Sequence, residues 1–391
     1  MAAHGNFFAV DWRCVEDATR QGDGVNTALA YLTLARHTSR NHATTTAAAT
    51  AIVNKLGLTR GRADLALKTL ENTGLVSAPK RGTFRTLTPW AALQAERAKL
   101  TDRQRGVVAR VLGRRNPITS SDDPDYQVAY ALKQRGILAL ADGKPGKSRF
   151  AVGEQDWIWL PNTLADGFAD GDSPFARLRQ ARDPEAVRLL LDIYRHANLA
   201  EDGGFPWHAL RRKFRRVEVD RQGAFTIWGF ASEGWGATWE PFFSRFRAMG
   251  QDAGSAALWS TLETLRAAGL VEAVAYIVEG VGDGAQALHP FAMPGTGEPE
   301  ERAVREAAHA AGHRMVRASK LAEATSALDA TPWLCPVRSH VTGVEAVGIV
   351  RPVHRAHTKR TAAWSANFLS GCHECVELFG LLGQSETKSV A

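Results

Sequence analysis

The sequence predicts a mainly α-helical protein with small β-hairpins, an α+β chain. Apolar residues recur every three to four positions in segments such as 26–37, 60–73, 185–198 and 255–269, the period of an amphipathic helix. Short runs of β-branched and aromatic residues follow several of these helices and read as hairpins. With 45% hydrophobic and 23% charged residues, the 391-residue chain has the apolar mass for packed cores. Composition and turn signals divide it into 1–100, a helix–hairpin connector at 101–182, a domain at 183–294 and a mostly helical domain at 295–391.

Charge is unevenly distributed. The net charge is +7, yet residues 1–120 hold 18 Lys and Arg against 8 Asp and Glu, while the remainder holds 30 against 33. A basic end on a near-neutral body points to a polyanion-binding module. Arg outnumbers Lys 37 to 11, which suits forked phosphate contacts and is equally what a GC-rich genome produces. No apolar run reaches the ~20 residues that span a bilayer, and residues 1–11 lack the basic and apolar regions of a secretory signal. Four cysteines are too few for a disulfide scaffold, so a cytoplasmic location without membrane contact is expected.

The elements of the basic module follow in order. Asn26–His37 (NTALAYLTLARH) is a first helix, and His42–Thr46 reads as a loop. Ala47–Leu56 is a second, short helix with Ala51, Ile52 and Leu56 inward, ended by Gly57 in a positive-φ conformation. Thr59 is placed to cap the next helix through its hydroxyl. That third helix, Arg60–Thr73, sets Leu65, Leu67 and Leu70 on an apolar face beside Ala63 and Ala66. Gly74 closes it, Leu75-Val76 begins a strand, and residues 77–87 (SAPKRGTFRTL) read strand, basic turn, strand.

Helix, short helix, glycine turn, capped helix and basic hairpin, carried by the string LGLTRGRADLALKTLENTGLV, resemble the winged helix-turn-helix family over roughly residues 24–90. The resemblance implies that the third helix enters the major groove of duplex DNA and the hairpin wing lies along the backbone or minor groove. By position it makes Thr59, Arg60, Arg62 and Lys68 groove-facing, and Lys80, Arg81 and Arg85 phosphate contacts of the wing. The competing reading is a protein-interaction module with a solvated basic face.

Farther along, Thr101–Arg115 (TDRQRGVVARVLGRR) is a basic helix with Val107, Val108, Val111 and Leu112 inward. A helix near 126–138 and a hairpin around the turn 142–146 extend the first domain. The pattern then recurs. Asp183 and Pro184 open an amphipathic helix to Asn198, Pro206–Arg216 (PWHALRRKFRR) reads as a short basic helix, and 217–237 reads as a hairpin insertion. Ser255–Gly269 is a helix followed by Leu270-Val271 and a strand at 273–279. LKTLENTGLV and LETLRAAGLV match closely enough to predict tandem winged-helix domains. Arg211, Arg212, Lys213, Arg215 and Arg216 form the densest positive patch, either a second DNA contact or solvated surface. Seven of 11 Trp fall between 157 and 259. Core packing is expected of them, Trp157 and Trp159 included, with a pocket lined by Trp207, Trp228, Trp235 and Trp239 as the alternative.

The stretch 290–301 reads as a linker, 299–328 as one long Ala-rich helix, 333–351 as strand-like pieces, and 361–382 as a packed helix. Cys335 and His340 (C-x4-H) with Cys372 and Cys375 (C-x2-C) are candidate ligands for a structural zinc, set against ordinary packing. Cys14 reads as a small buried hydrophobe, and His354 and His357 as part of a solvated basic loop. The sequence holds no G-x-x-x-x-G-K-[ST], G-x-S-x-G or H-E-x-x-H string, so no enzymatic activity is expected. The resulting expectation is a sequence-specific binder of double-stranded DNA that regulates transcription, with the C-terminal helices as a homodimer surface. A plasmid or mobile-element replication initiator and a winged-helix interaction scaffold stay open as alternatives.

Overall fold

A computed structural model describes residues 6–39, 41–77, 84–112, 118–135, 137–140, 150–152, 156–167, 172–197, 204–239, 242–280, 285–291, 297–355 and 359–382. The chain is an α+β mixture that folds as two compact units, 1–191 and 192–391.

The first unit runs β1 (Phe7–Asp11), α1 (Trp12–Ala18), α2 (Gly24–Arg36), β2 (Thr44–Thr45), α3 (Ala49–Leu56), α4 (Arg60–Asn72), β3 (Arg85–Thr86), α5 (Trp90–Arg97), α6 (Asp102–Leu112), α7 (Tyr126–Gln134), β4 (Leu138–Leu140), β5 (Phe150–Val152), β6 (Trp157–Pro161), α8 (Thr163–Asp166) and α9 (Pro174–Ala181). Helix α10 (Pro184–His196) runs across the boundary. Helix α2 is the axis: Val25–Ala35 are all buried, and α1, α3, α4, α8 and α9 pack on it. Burial on every side explains why its sequence shows so few charges. Asp23 caps it by accepting from the Asn26 amide. Strand β1 pairs antiparallel with β6, and alternation sends Phe8, Val10, Ile158 and Leu160 inward. Trp159 is therefore turned outward and is 45% exposed, against the expectation of core packing. Residues 95–150 carry a smaller core of their own, built on Val107, Val108, Leu132 and Phe150.

Thr44–Thr45, expected as loop, is a strand: β2 pairs with β3, and a Val76–Leu87 bridge continues the ladder. The hydroxyl of Thr59 makes no cap bond, although its backbone carbonyl accepts from Ala63 at 3.0 Å.

The second unit runs β7 (Leu210–Gln222), β8 (Phe225–Ala237), α11 (Ser244–Arg247), α12 (Gln251–Ala267), β9 (Val271–Glu279), β10 (Gln286–Phe291), α13 (Pro299–Met315), α14 (Ala318–Leu328), β11 (Trp333–Arg338), β12 (Glu345–Pro352) and α15 (Lys359–Leu382). Six strands form one antiparallel sheet in the order β10-β9-β12-β7-β8-β11. Helix α13 touches both edge strands, so the sheet curls around it. Its Val304, Ala308 and Ala311 pack with Phe230, Ile277, Phe291 and Val337. Gly312 lets this helix lie close to β11, since a Cβ there would sit 2.6 Å from the Leu334 Cβ. Each edge strand holds a proline, Pro290 or Pro336, which lacks the amide needed in a central strand. Arg351, fully buried, donates to both oxygens of Glu301, at 2.8 and 2.5 Å, and to Glu272 at 2.7 Å.

Three expectations fail here for tertiary reasons. The basic run within 206–216 is not a helix: β7 covers it, because twelve residues pair with β8 and override the helix propensity of Arg and Lys. The segment 295–391 supplies β11 and β12 to the sheet that β7–β10 build, so it does not stand apart as a helical domain. The Ala-rich helix is split at Val316, which is extended, where Asp220 of β7 takes the Arg317 guanidinium at 2.9 and 2.7 Å. Among the described residues no helix is long and apolar enough to cross a membrane.

Candidate functional site

Helices α3 and α4 meet at a tight corner. Gly57 closes α3 with φ 62° and donates its amide to Val53 at 2.9 Å, a conformation that favours glycine. Leu58 is buried in the elbow, and α4 starts two residues later. Ala63, Ala66, Leu67 and Leu70 hold α4 against the core. Its outward side carries Gly61, Leu65, Lys68 and Asn72, flanked by Arg60 and Arg62. Leu65, expected in the core, is 62% exposed.

The cations of this unit differ in what they meet. Arg60 bonds Asp64 at 3.1 Å and Thr50 on α3 at 2.9 Å, which fixes one helix to the other. Arg13 pairs with Asp11, Arg20 with Glu16, Arg97 with Asp17, Arg103 with Asp125, Arg105 with Asp102, and Arg110 with Asp123. Arg36 and Lys55 share Asp166. Burial opposes ionisation of Asp166, but hydrogen bonds from those two cations hold its pKa below the usual carboxylate value. Among the described Lys and Arg of residues 6–112, Arg62, Lys68 and Lys99 alone have no ion pair. Two of these three stand on α4.

The wing residues part company. Arg85 bonds Glu71 at 3.2 Å and the Ala47 carbonyl at 3.4 Å, and its side chain is only 16% exposed. It clamps β3 to α4 and to the approach of α3. Lys80 and Arg81 lie outside the described residues. Phe84, beside them, is exposed.

The second expected patch is dispersed. Strand alternation sends Arg211, Lys213 and Arg215 to one face of β7 and Arg212 and Arg216 to the other. Arg212 donates to Ser232 at 2.7 Å, Arg215 to the Leu328 carbonyl, and Arg216 lies 5.4 Å over the Trp228 ring. The tryptophans also separate: Trp235 lines a cleft of about 410 Å3 with Trp259, and Trp207 a cavity of about 30 Å3 with His208 and Arg211.

Cys335, Cys372 and Cys375 gather in the core beside α13, whereas His340 is exposed in the turn after β11. The Cys335 sulfur instead faces His289 Nε2 at 3.5 Å. Burial raises the pKa of all three thiols, Cys372 to about 12, so they pack as neutral groups. Among the described residues no group of three or more His, Cys, Asp or Glu side chains is placed to hold a metal ion. Cys14 is fully buried, and burial pushes its thiol to about 12. His354, expected in solvent, is buried, with its carbonyl accepting from the Tyr194 hydroxyl at 2.5 Å; His357 lies outside the described residues.

One signal for the α4 site was present in the sequence. Residues two apart on a helix point about 200° apart, so Leu65 and Leu67 cannot both face the core. The pairing state of each cation was not readable, because partners such as Arg97 and Asp17 lie 80 residues apart. Comparison with known protein families, with curated proteins and with solved structures finds no match for this chain.

Proposed function

We propose that residues 24–87 form a winged-helix reading head that binds double-stranded DNA sequence-specifically and non-covalently, and that the protein acts in transcription control. One observation carries the reading: Arg62 and Lys68 stand unneutralised on the solvent side of α4, while most cations around them are held by internal carboxylates. An unpaired guanidinium can fork onto guanine O6 and N7, and an unpaired ammonium can neutralise a phosphate. The order α2, β2, α3, glycine corner, α4, β3 supports it, since Gly61, Arg62, Leu65, Lys68 and Asn72 stay exposed along α4, and an α-helix is of a size the major groove admits. The proposal concerns this head alone. A tandem arrangement drew on the repeated LKTLENTGLV and LETLRAAGLV and on a basic helix at 206–216, of which residues 210–216 lie in strand β7. One head covers few base pairs, so genomic specificity implies a second copy on the DNA.

The test is fluorescence anisotropy on duplexes selected from a random pool, titrated with salt. Binding should weaken linearly in log–log form, and Lys68→Ala should reduce the slope by about 1. Arg62→Ala should weaken the selected duplex by roughly 5- to 100-fold and flatten the preference for one guanine. Salt-independent binding, unmoved by either substitution, would instead support an interaction scaffold.

A further inference from the structure

We propose that Leu65 makes the outward face of α4 a reader of the C5-methyl group of a pyrimidine, which in unmodified DNA is thymine. This rests on the DNA-binding reading above and adds the class of base. An exposed leucine by itself calls for no explanation; the surroundings of this one do. The buried residues Ala63, Ala66, Leu67 and Leu70 define one side of α4, and Gly61, Leu65, Lys68 and Asn72 run along the opposite side. Leu65 thus sits within the stripe farthest from the core, 62% exposed, and not at a fringe that a neighbouring element could cover.

Arg62 lies one turn before it and Lys68 one turn after, and neither has an ion pair. A polyanion drawn to both must press on the isobutyl group between them. At i−4 stands Gly61, which carries no side chain and where a Cβ would meet nothing within 4 Å, so the surface beside Leu65 is open. In the major groove, guanine presents O6 and N7 to an arginine fork, and the apolar group on offer is the thymine methyl. An isobutyl group against that methyl removes both from water. A face that puts a leucine among unpaired cations is matched to a step holding guanine and a 5-methylpyrimidine.

The experiment selects duplexes from a random pool with the intact protein and with Leu65→Ala, then measures anisotropy on the selected duplex carrying single-base replacements. The intact protein should enrich a thymine whose preference disappears with Leu65→Ala, while the guanine preference persists. Deoxyuridine at that position removes only the methyl. It should weaken the intact protein about three- to tenfold, the size of one buried methyl, and leave Leu65→Ala unchanged. At the same position 5-methylcytosine should bind better than cytosine, which identifies the methyl and not the thymine carbonyl as the recognised group. Equal binding of thymine and deoxyuridine duplexes by the intact protein, or equal thymine enrichment by both proteins, overturns the proposal and leaves DNA binding standing. Absence of any enriched sequence together with salt-independent binding overturns the DNA-binding reading itself. Circular dichroism shows whether Leu65→Ala retains its helices, as an exposed leucine replaced by a better helix former should.

Discussion

Arg62 and Arg85 belong to the same module and differ in what their forks meet. Arg85 is enclosed by Glu71 and the Ala47 carbonyl, whereas Arg62 faces solvent without an ion pair. Their alanine variants should therefore separate. Arg85→Ala removes a half-buried pair that joins β3 to α4, and urea unfolding should show a loss of about 1 kcal/mol with the base preference of the remaining folded protein intact. Arg62→Ala should leave the unfolding midpoint within experimental scatter and alter only the binding. An Arg85→Ala variant that keeps full stability but loses salt-dependent affinity would return Arg85 to the phosphate-contacting set. The same logic places Arg60 between the two, since its bond to Thr50 orients α4 against α3 while the side chain stays exposed.

At the scale of elements, close approach decides which substitutions a helix tolerates. Gly312 faces Leu334 so tightly that any side chain must displace β11 from α13. Gly312→Val should destabilise the second unit by about 1–3 kcal/mol through overpacking, read as a lower thermal midpoint. Gly61→Ala on the open face of α4 should not. The elements readable in the sequence were those whose information is local: α2, α3, α4, α6, α12 and α15 repeat apolar residues at helical spacing, and β9 and β12 are β-branched runs. The glycine at 57 carried its own backbone preference. Strand β7 was not readable, because Arg and Lys at 211–216 favour helix until β8 pairs with them, and two-residue β2 has no periodicity to detect. The break at Val316 was equally hidden, since it depends on Asp220, which is far away in the chain. At the candidate site the residue types were legible and their state was not: Thr59, Arg60, Arg62 and Lys68 lie at the start and on the exposed sides of α4, but only partners brought by folding distinguish the unpaired cations from the clamped ones.

For the whole molecule, the buried titratable groups of the second unit set how stability follows pH. His289 donates Nδ1–H to the Pro290 carbonyl at 2.9 Å, and the loss of solvent around its ring holds its pKa below 6.5. His309 stacks on Trp333 at 4.2 Å, and its Nδ1 accepts the Leu334 amide at 3.1 Å, so Nε2 carries the proton and donates to His313 Nε2 at 3.2 Å. Burial first, and then the charge of His313, lower its pKa as well. A histidine whose folded value lies below its unfolded value contributes fully above pH 6.5 and loses that contribution as pH falls through the unfolded and then the folded value. The carboxylates act lower. Burial opposes charge on Glu301, but the hydrogen bonds of Arg351 bring its pKa under 4.5, and the Arg317 guanidinium holds Asp220 at about 2. Their contributions are complete above the unfolded carboxylate values and are lost below them. The thermal midpoint of the second unit should therefore fall in two stages, one beginning below pH 6.5 and another below about pH 4.5. His289→Leu and His309→Gln combined should flatten the first stage and leave the second. Equal slopes for variant and parent between pH 6.5 and 5.5 would show that neither imidazole is held neutral by the fold.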